Sequence, residues 1–245
     1  MRFAIISDLH SNLEALNAVL SLIDSIGADT TICLGDIVGY NADPDRCIEL
    51  VRERGIRCII GNHDSRVCGF EEPDDFNSSA RRAVLWTREH LSRNNLSFLR
   101  GLPRKLSFDD GALAVHGWVN NTDRYILTPG DAQANFELLT HEPLPYRLCF
   151  FGHTHIQIAY SITENTVLSH KEERLKLGEE TRYIINPGSV GQPRDFDTRA
   201  AFLIYDTEAG EVRFYRTTYD IDGCYQKVID AGLPENLAER LKMGC

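Results

Sequence analysis

A mixed α/β domain is predicted by two features of the 245-residue chain. Short β-rich apolar runs alternate with segments of helical period, and the apolar runs repeatedly stop at His, Asp or Asn. With 42% hydrophobic residues and no shift in composition along its length, the chain reads as one globular domain over residues 1–245.

Residues 3–7 form the first apolar run. After Asp8-Leu9-His10 the spacing turns helical, with Leu13, Leu16, Val19, Leu20 and Ile23 on one face. Ser11-Asn12-Leu13-Glu14 fits a capping box, so Asp8 and His10 fall in the turn between strand and helix, and Gly27 ends the helix. Residues 30–34 are the second strand, running into Gly35-Asp36. From Pro44 an amphipathic helix carrying Cys47, Ile48, Leu50 and Val51 runs to Gly55. Residues 56–60 are the third strand, and it stops at the turn Gly61-Asn62-His63-Asp64.

Residues 66–103 read as a helical, cap-like segment. Glu71-Glu72-Pro73-Asp74-Asp75 is a solvated loop within it, and a helix over residues 78–99 carries Ala80, Ala83, Val84, Leu85, Trp86 and Leu91. Runs 106–108 and 112–115 flank Asp109-Asp110-Gly111, a hairpin signal that delivers His116-Gly117 to a strand end. A short helix near residues 131–139 precedes the strand 147–151, which leads into Gly152-His153-Thr154-His155, and alternation resumes over 156–160. The charged run Lys171-Glu172-Glu173-Arg174 reads as a solvated hairpin or loop. Residues 183–185 lead into Asn186-Pro187-Gly188-Ser189, and runs 200–205 and 212–218 make the last hairpin.

The net charge of -10 and pI near 5.3 disfavour nucleic-acid partners, which ask for a basic stripe. An anionic substrate could still bind where metal ions supply local positive charge. Seven cysteines, an odd number without a C-x-x-C pair, read as reduced core thiols. With no apolar run of about 18 residues and no signal-peptide layout, no membrane partner is expected and the expected address is cytoplasmic.

Taken together, the strand ends supply Asp8, His10, Asp36, Asn62, His116, His153 and His155, with His63 beside them. Five of the eight histidines lie in these few turns. Imidazoles mixed with carboxylate and amide oxygens suit Mn, Fe, Zn or Ni, and seven candidate ligands exceed the needs of one four-coordinate ion. Two ions about 3.5 to 4 Å apart, sharing a carboxylate, would use them all. Two further residues are candidates for contact with a substrate phosphate. Asn12 stands at a helix N-terminus, with simple capping as the alternative, and Arg194 lies just beyond the Pro-Gly-Ser turn, with an ordinary surface arginine as the alternative.

Asp8-x-His10, Gly35-Asp36, Gly61-Asn62-His63-Asp64, His116 and Gly152-His153-x-His155, in this order, resemble the five motifs of the calcineurin-like metallophosphoesterases. Gly39-Tyr40, Asp43-Pro44 and Asn186-Pro187-Gly188-Ser189 resemble the small bacterial and archaeal phosphodiesterase-like branch. The resemblance implies a four-layer α-β-β-α sandwich. It implies that Asp8, His10 and His155 hold one ion, that Asn62, His116 and His153 hold a second, and that Asp36 bridges them. Mn2+ is the expected metal, with Fe, Zn or Ni as alternatives.

The implied activity is hydrolysis of a phosphodiester or phosphomonoester, on a small or nucleotide-like substrate, by a metal-bridging hydroxide. His63 is then the proton donor to the leaving alkoxide or its electrostatic stabiliser. A protein-binding scaffold of the same fold and a nuclease are the alternatives. Where the phosphoprotein phosphatases follow the bridging Asp with x-x-Asp-Arg, an acid that orients the catalytic His and a base that grips phosphate, this chain has Gly39 and Tyr40. After His116-Gly117, Trp118-Val119-Asn120-Asn121 stands in place of Ser-Pro.

Overall fold

The computed structural model describes residues 1–109 and 111–245. In chain order the elements are β1 (Arg2–Ile6), α1 (Leu13–Ile26), β2 (Thr30–Cys33), α2 (Pro44–Glu53), β3 (Arg57–Cys58), α3 (Asn62–Val67), α4 (Ser78–His90), α5 (Arg93–Arg100), β4 (Leu106–Phe108) and β5 (Ala112–Ala114). Then follow α6 (Pro129–Leu139), β6 (Leu148–Phe150), β7 (Gln157–Thr163), β8 (Thr166–His170), β9 (Arg174–Lys176), β10 (Arg182–Pro187), β11 (Ala200–Asp206), β12 (Glu211–Thr217), α7 (Ile221–Asp230) and α8 (Glu235–Met243).

The strands form two six-stranded sheets, ordered β3-β2-β1-β11-β12-β9 and β4-β5-β6-β10-β7-β8. Strand alternation builds the layers, because successive side chains point to opposite faces. In β1, Phe3 and Ile5 enter the core between the sheets, while Ala4 and Ile6 face the helical layer with Leu16, Val19 and Val51. In β6, Leu148 and Phe150 face the other sheet while Cys149 packs with Phe136 of α6. Both faces of these strands are buried, which is why they read as continuous apolar runs rather than alternating ones. The result is the four-layer α-β-β-α sandwich.

Several elements differ from expectation. The third strand shrinks to two residues because Ile60 donates its amide to the Pro103 carbonyl, outside any sheet. Asn62 and His63 open a six-residue helix rather than a tight turn. The helix expected over 78–99 is two helices, parted at Ser92, whose amide and hydroxyl both bond the Asp45 carboxylate. The acidic loop is tethered: Glu71 and Asp75 pair with Arg66, and Glu72 with Arg88. The charged run at 171–174 leads out of the β7–β8 hairpin into β9, an edge strand of the opposite sheet. The chain after the last hairpin, α7 and α8, packs Leu233, Leu237 and Ala238 near Tyr40 and α4. The Asp-Gly turn expected between β4 and β5 includes residue 110, outside the described residues. Six cysteines are buried and none is in a disulfide among the described residues.

Candidate metal centre

The candidate ligands come from the carboxyl ends of strands in both sheets. Asp8 and His10 follow β1, Asp36 follows β2 and Asn62 follows β3, all from one sheet. His116 follows β5, and His153 and His155 follow β6, from the other. The carboxyl edge of a sheet is where α/β proteins assemble sites. All seven side chains are buried, and His63 with them.

Backbone strain marks the same residues. Asp8, His10, Asp36, His153 and His155 all have left-handed φ, between 47 and 64°. Such conformations cost non-glycine residues about 1 kcal/mol or more each and persist where the surroundings fix them. Glycine gives the turns room. A Cβ on Gly61 would stand 2.8 Å from the Asp36 carboxyl carbon and closer still to its Oδ1, and one on Gly152 would stand 2.9 Å from Asp8 Oδ2. Gly61→Ala is therefore expected to destabilise the fold by about 1–3 kcal/mol and to lower metal content, measured by thermal unfolding and metal analysis. An unchanged Tm with full metal content would show that Asp36 does not need this space.

Each of the four candidate ligand histidines is oriented by a backbone carbonyl. Nδ1 of His10 bonds the Val38 carbonyl at 3.2 Å, Nδ1 of His116 that of Leu34 at 2.8 Å, and Nδ1 of His155 that of Gln192 at 2.5 Å. His153 instead uses Nε2, 3.1 Å from the Asp123 carbonyl, and stacks on Tyr125 at 4.2 Å. Because a carbonyl only accepts, these contacts fix the tautomers and leave Nε2 of His10, His116 and His155 and Nδ1 of His153 turned inward.

The inward atoms gather in overlapping groups that could each hold an ion: Asp8 with His10 and His155, Asp36 with His116 and His153, and Asp36 with His10 and His63. Asp36 Oδ2 lies 3.3 Å from His116 Nε2 and 3.7 Å from His10 Nε2, and Asp8 Oδ1 lies 3.3 Å from His155 Nε2. Asn62 Oδ1 is 3.0 Å from His116 Nε2.

The chemistry of this donor set fits divalent ions. His10 and His155 point their Nε2 atoms at each other at 3.1 Å, although each already donates through Nδ1. Burial pushes both imidazoles toward the neutral form, helped at His155 by Arg194. Two neutral rings so arranged face lone pair to lone pair, an arrangement that a cation relieves. Burial also opposes charge on His116, but the Asp36 carboxylate outweighs it and lifts the ring to about 10. Burial would raise the Asp36 carboxyl, yet His116 and His63 hold it well below its usual range. In both places the site draws in positive charge.

His63 differs from the ligands. Its amide donates to Asp36 Oδ1 at 2.8 Å, and its ring lies against Tyr40, Phe76 and His10. Burial, only partly opposed by Asp36, drives the ring down to about 4. Its Nδ1 is buried without a hydrogen-bond partner, facing Gly39, where a Cβ would come within 2.7 Å. Asp64 does not orient it, because its two oxygens cap α3 and bind the amides of Val38 and Gly61.

A cleft of about 200 Å3 opens above the cluster, and Arg194 lines it. Asn12 is elsewhere. It is fully buried, its Oδ1 accepts from Ala15 and its Nδ2 donates to Gly191, so capping replaces the expected phosphate contact. Reading the sequence for ligands missed Tyr40, Tyr125 and Phe76 as cleft walls. Only Tyr40 carried a signal, its place four residues after Asp36 where the phosphoprotein phosphatases have Arg.

Residues 1–210 match the calcineurin-like phosphoesterase superfamily domain, and the chain belongs to that superfamily. It is 40% identical over 243 residues to an uncharacterized protein of Methanocaldococcus jannaschii, covering 98% of this chain and 97% of that one. A crystal structure of a metallophosphoesterase from Sphaerobacter thermophilus matches with a TM-score of 0.85 at 40% identity, covering 100% of this chain and 99% of that chain. The fold is shared with a hypothetical protein of Pyrococcus horikoshii, with a TM-score of 0.82 at 20% identity over 100% of this chain and 98% of that chain. The chain is thus a member of a metal-dependent phosphoesterase family. Among the described residues no helix is long and apolar enough to cross a membrane.

Proposed function

We propose that the protein hydrolyses a phosphodiester, with phosphomonoesters as poorer substrates, on a small or nucleotide-like molecule, using two divalent ions, Mn2+ first among them. The observation that carries this reading is the pair of inward-facing groups, Asp8–His10–His155 and Asp36–His116–His153, with Asp36 within reach of histidines from both. Asp8, His10 and His155 would hold one ion, Asn62, His116 and His153 the other, and Asp36 both. When bound, the ions supply positive charge for the phosphoryl oxygens and acidify water for attack on phosphorus.

The rest falls to the protein's own side chains. The carbonyls of Val38, Leu34, Gln192 and Asp123 keep the imidazoles in the ligating tautomer. His63, walled by Phe76 and Tyr40 at the cleft, would donate a hydrogen bond to the departing alkoxide.

The test is chelation followed by metal restoration, with turnover followed on bis-p-nitrophenyl phosphate, p-nitrophenyl phosphate and cyclic nucleotides. The diester is expected to be hydrolysed fastest and only after metal is restored. Fewer than one ion per chain after Mn2+ reconstitution would sink the dinuclear reading. Turnover of none of these substrates would move the protein to the scaffold class.

A further inference from the structure

Arg194 is an arginine without a counter-ion. Its side chain is partly buried at the cleft, and no carboxylate lies within 4 Å of it among the described residues. Other arginines around the cleft are matched: Arg66 pairs with Asp75, Asp123 and Glu71, and Arg88 pairs with Glu72. The Arg194 guanidinium has only neutral partners at long range. Nη2 donates to the Tyr40 hydroxyl at 3.2 Å and to Gln192 Oε1 at 3.4 Å, and Nη1 reaches the Tyr125 hydroxyl at 3.5 Å, the outer limit of a hydrogen bond. Its Nε is sealed from solvent with no partner at all. A guanidinium held this way retains unused donors and a charge that no carboxylate pairs with among the described residues.

Its position is set from three sides. Its amide bonds the His155 carbonyl at 3.3 Å, which ties it to a candidate ligand. The Tyr40 ring lies 4.4 Å from His10 and 4.5 Å from His63, carried there by left-handed backbone at Gly39 and Tyr40. Tyr125, whose hydroxyl Arg194 Nη1 reaches, stacks on the candidate ligand His153 at 4.2 Å. The guanidinium stands over the same cluster that the metal ligands line.

We infer that Arg194 grips the substrate's phosphoryl oxygens above the metal-ligand cluster, and that Tyr40 and Tyr125 are positioning residues that seat it there. The clamp rests on the phosphoesterase reading above and adds to it the origin of the second positive pole. The guanidinium arrives from 154 residues further along the chain than the tyrosine on whose hydroxyl it leans. The planar fork suits two oxygens of one phosphoryl group, and Gln192 and the tyrosines leave it free to turn toward them.

The experiment is calorimetric titration of inorganic phosphate into Mn2+-reconstituted protein, with metal content, KM and kcat on bis-p-nitrophenyl phosphate measured alongside. Arg194→Ala is expected to weaken phosphate binding by about 10- to 100-fold, the range for a lost charge-assisted hydrogen bond, and to raise KM in step at unchanged metal content. Arg194→Gln keeps a donor for the Tyr40 hydroxyl and loses only the charge, so it reads the same effect should the alanine variant fold poorly. Arg194→Lys is expected to recover part of the affinity. Tyr40→Phe and Tyr125→Phe are expected to fall between wild type and Arg194→Ala in KM, with kcat changed less. Phosphate affinity equal to wild type in Arg194→Ala or Arg194→Gln, at equal metal content, would overturn the clamp alone. A metal-loaded wild type that neither binds phosphate nor hydrolyses the diester would overturn both the clamp and the reading it rests on.

Discussion

Asp36→Asn is expected to lose both ions and with them turnover. The carboxylate approaches histidines from both halves of the cluster, 3.3 Å from His116 and 3.7 Å from His10. It also holds the start of α3 by accepting the His63 amide at 2.8 Å. Asparagine keeps the shape and offers one oxygen, but it removes the charge that draws cations into a buried pocket. Even groups standing behind a metal ligand cost 10- to 100-fold in affinity when removed, so a shared ligand is expected to cost more than about 100-fold. Metal analysis after dialysis, together with a circular dichroism melt to confirm folding, is the check. Two ions retained with wild-type turnover would remove Asp36 from the centre.

His63→Gln is expected to behave in the opposite way, keeping its metals and slowing its chemistry. The ring makes no contact with a carbonyl that would turn it inward as a ligand, and its unpartnered Nδ1 rests against Gly39. A general acid or hydrogen-bond donor contributes about 10²–10⁴-fold when the leaving group needs a proton. The loss is therefore expected to be greatest on alkyl phosphodiesters and small on bis-p-nitrophenyl phosphate, whose leaving group departs without help. An equal loss on both substrates would assign His63 to metal positioning instead.

How much of this was legible in the sequence depends on the range of the interactions involved. The seven candidate ligands were readable because each ends an apolar run, and strand ends are defined by local pattern. The layers were readable as mixed α/β from the same runs, while their stacking came only through the family likeness. The break at Ser92 was hidden because the cap is reinforced by Asp45, far back in the sequence. The shortening of the third strand was hidden because Ile60 bonds a loop rather than a neighbour strand. The partnership of Tyr40 with Arg194, and the packing of α7 and α8 over Tyr40, arise only in three dimensions. No local spacing encodes them. Asn12 shows the converse: its capping signal was local and complete, and the added role in substrate binding had no place left to act.

The distribution of ligands between the two sheets has a mechanical consequence. Asp8 and His10 belong to one sheet and His155 to the other, and likewise Asp36 and Asn62 face His116 and His153 across the sandwich. Each ion would therefore be a rivet through both sheets at one edge of the core, closing long loops as a covalent cross-link does. Chelation is then expected to unzip the sandwich from this edge. Amide exchange would quicken first at residues 34–38, 61–64 and 152–155, while the apolar centre around Ile5, Phe150 and Leu203 stays closed.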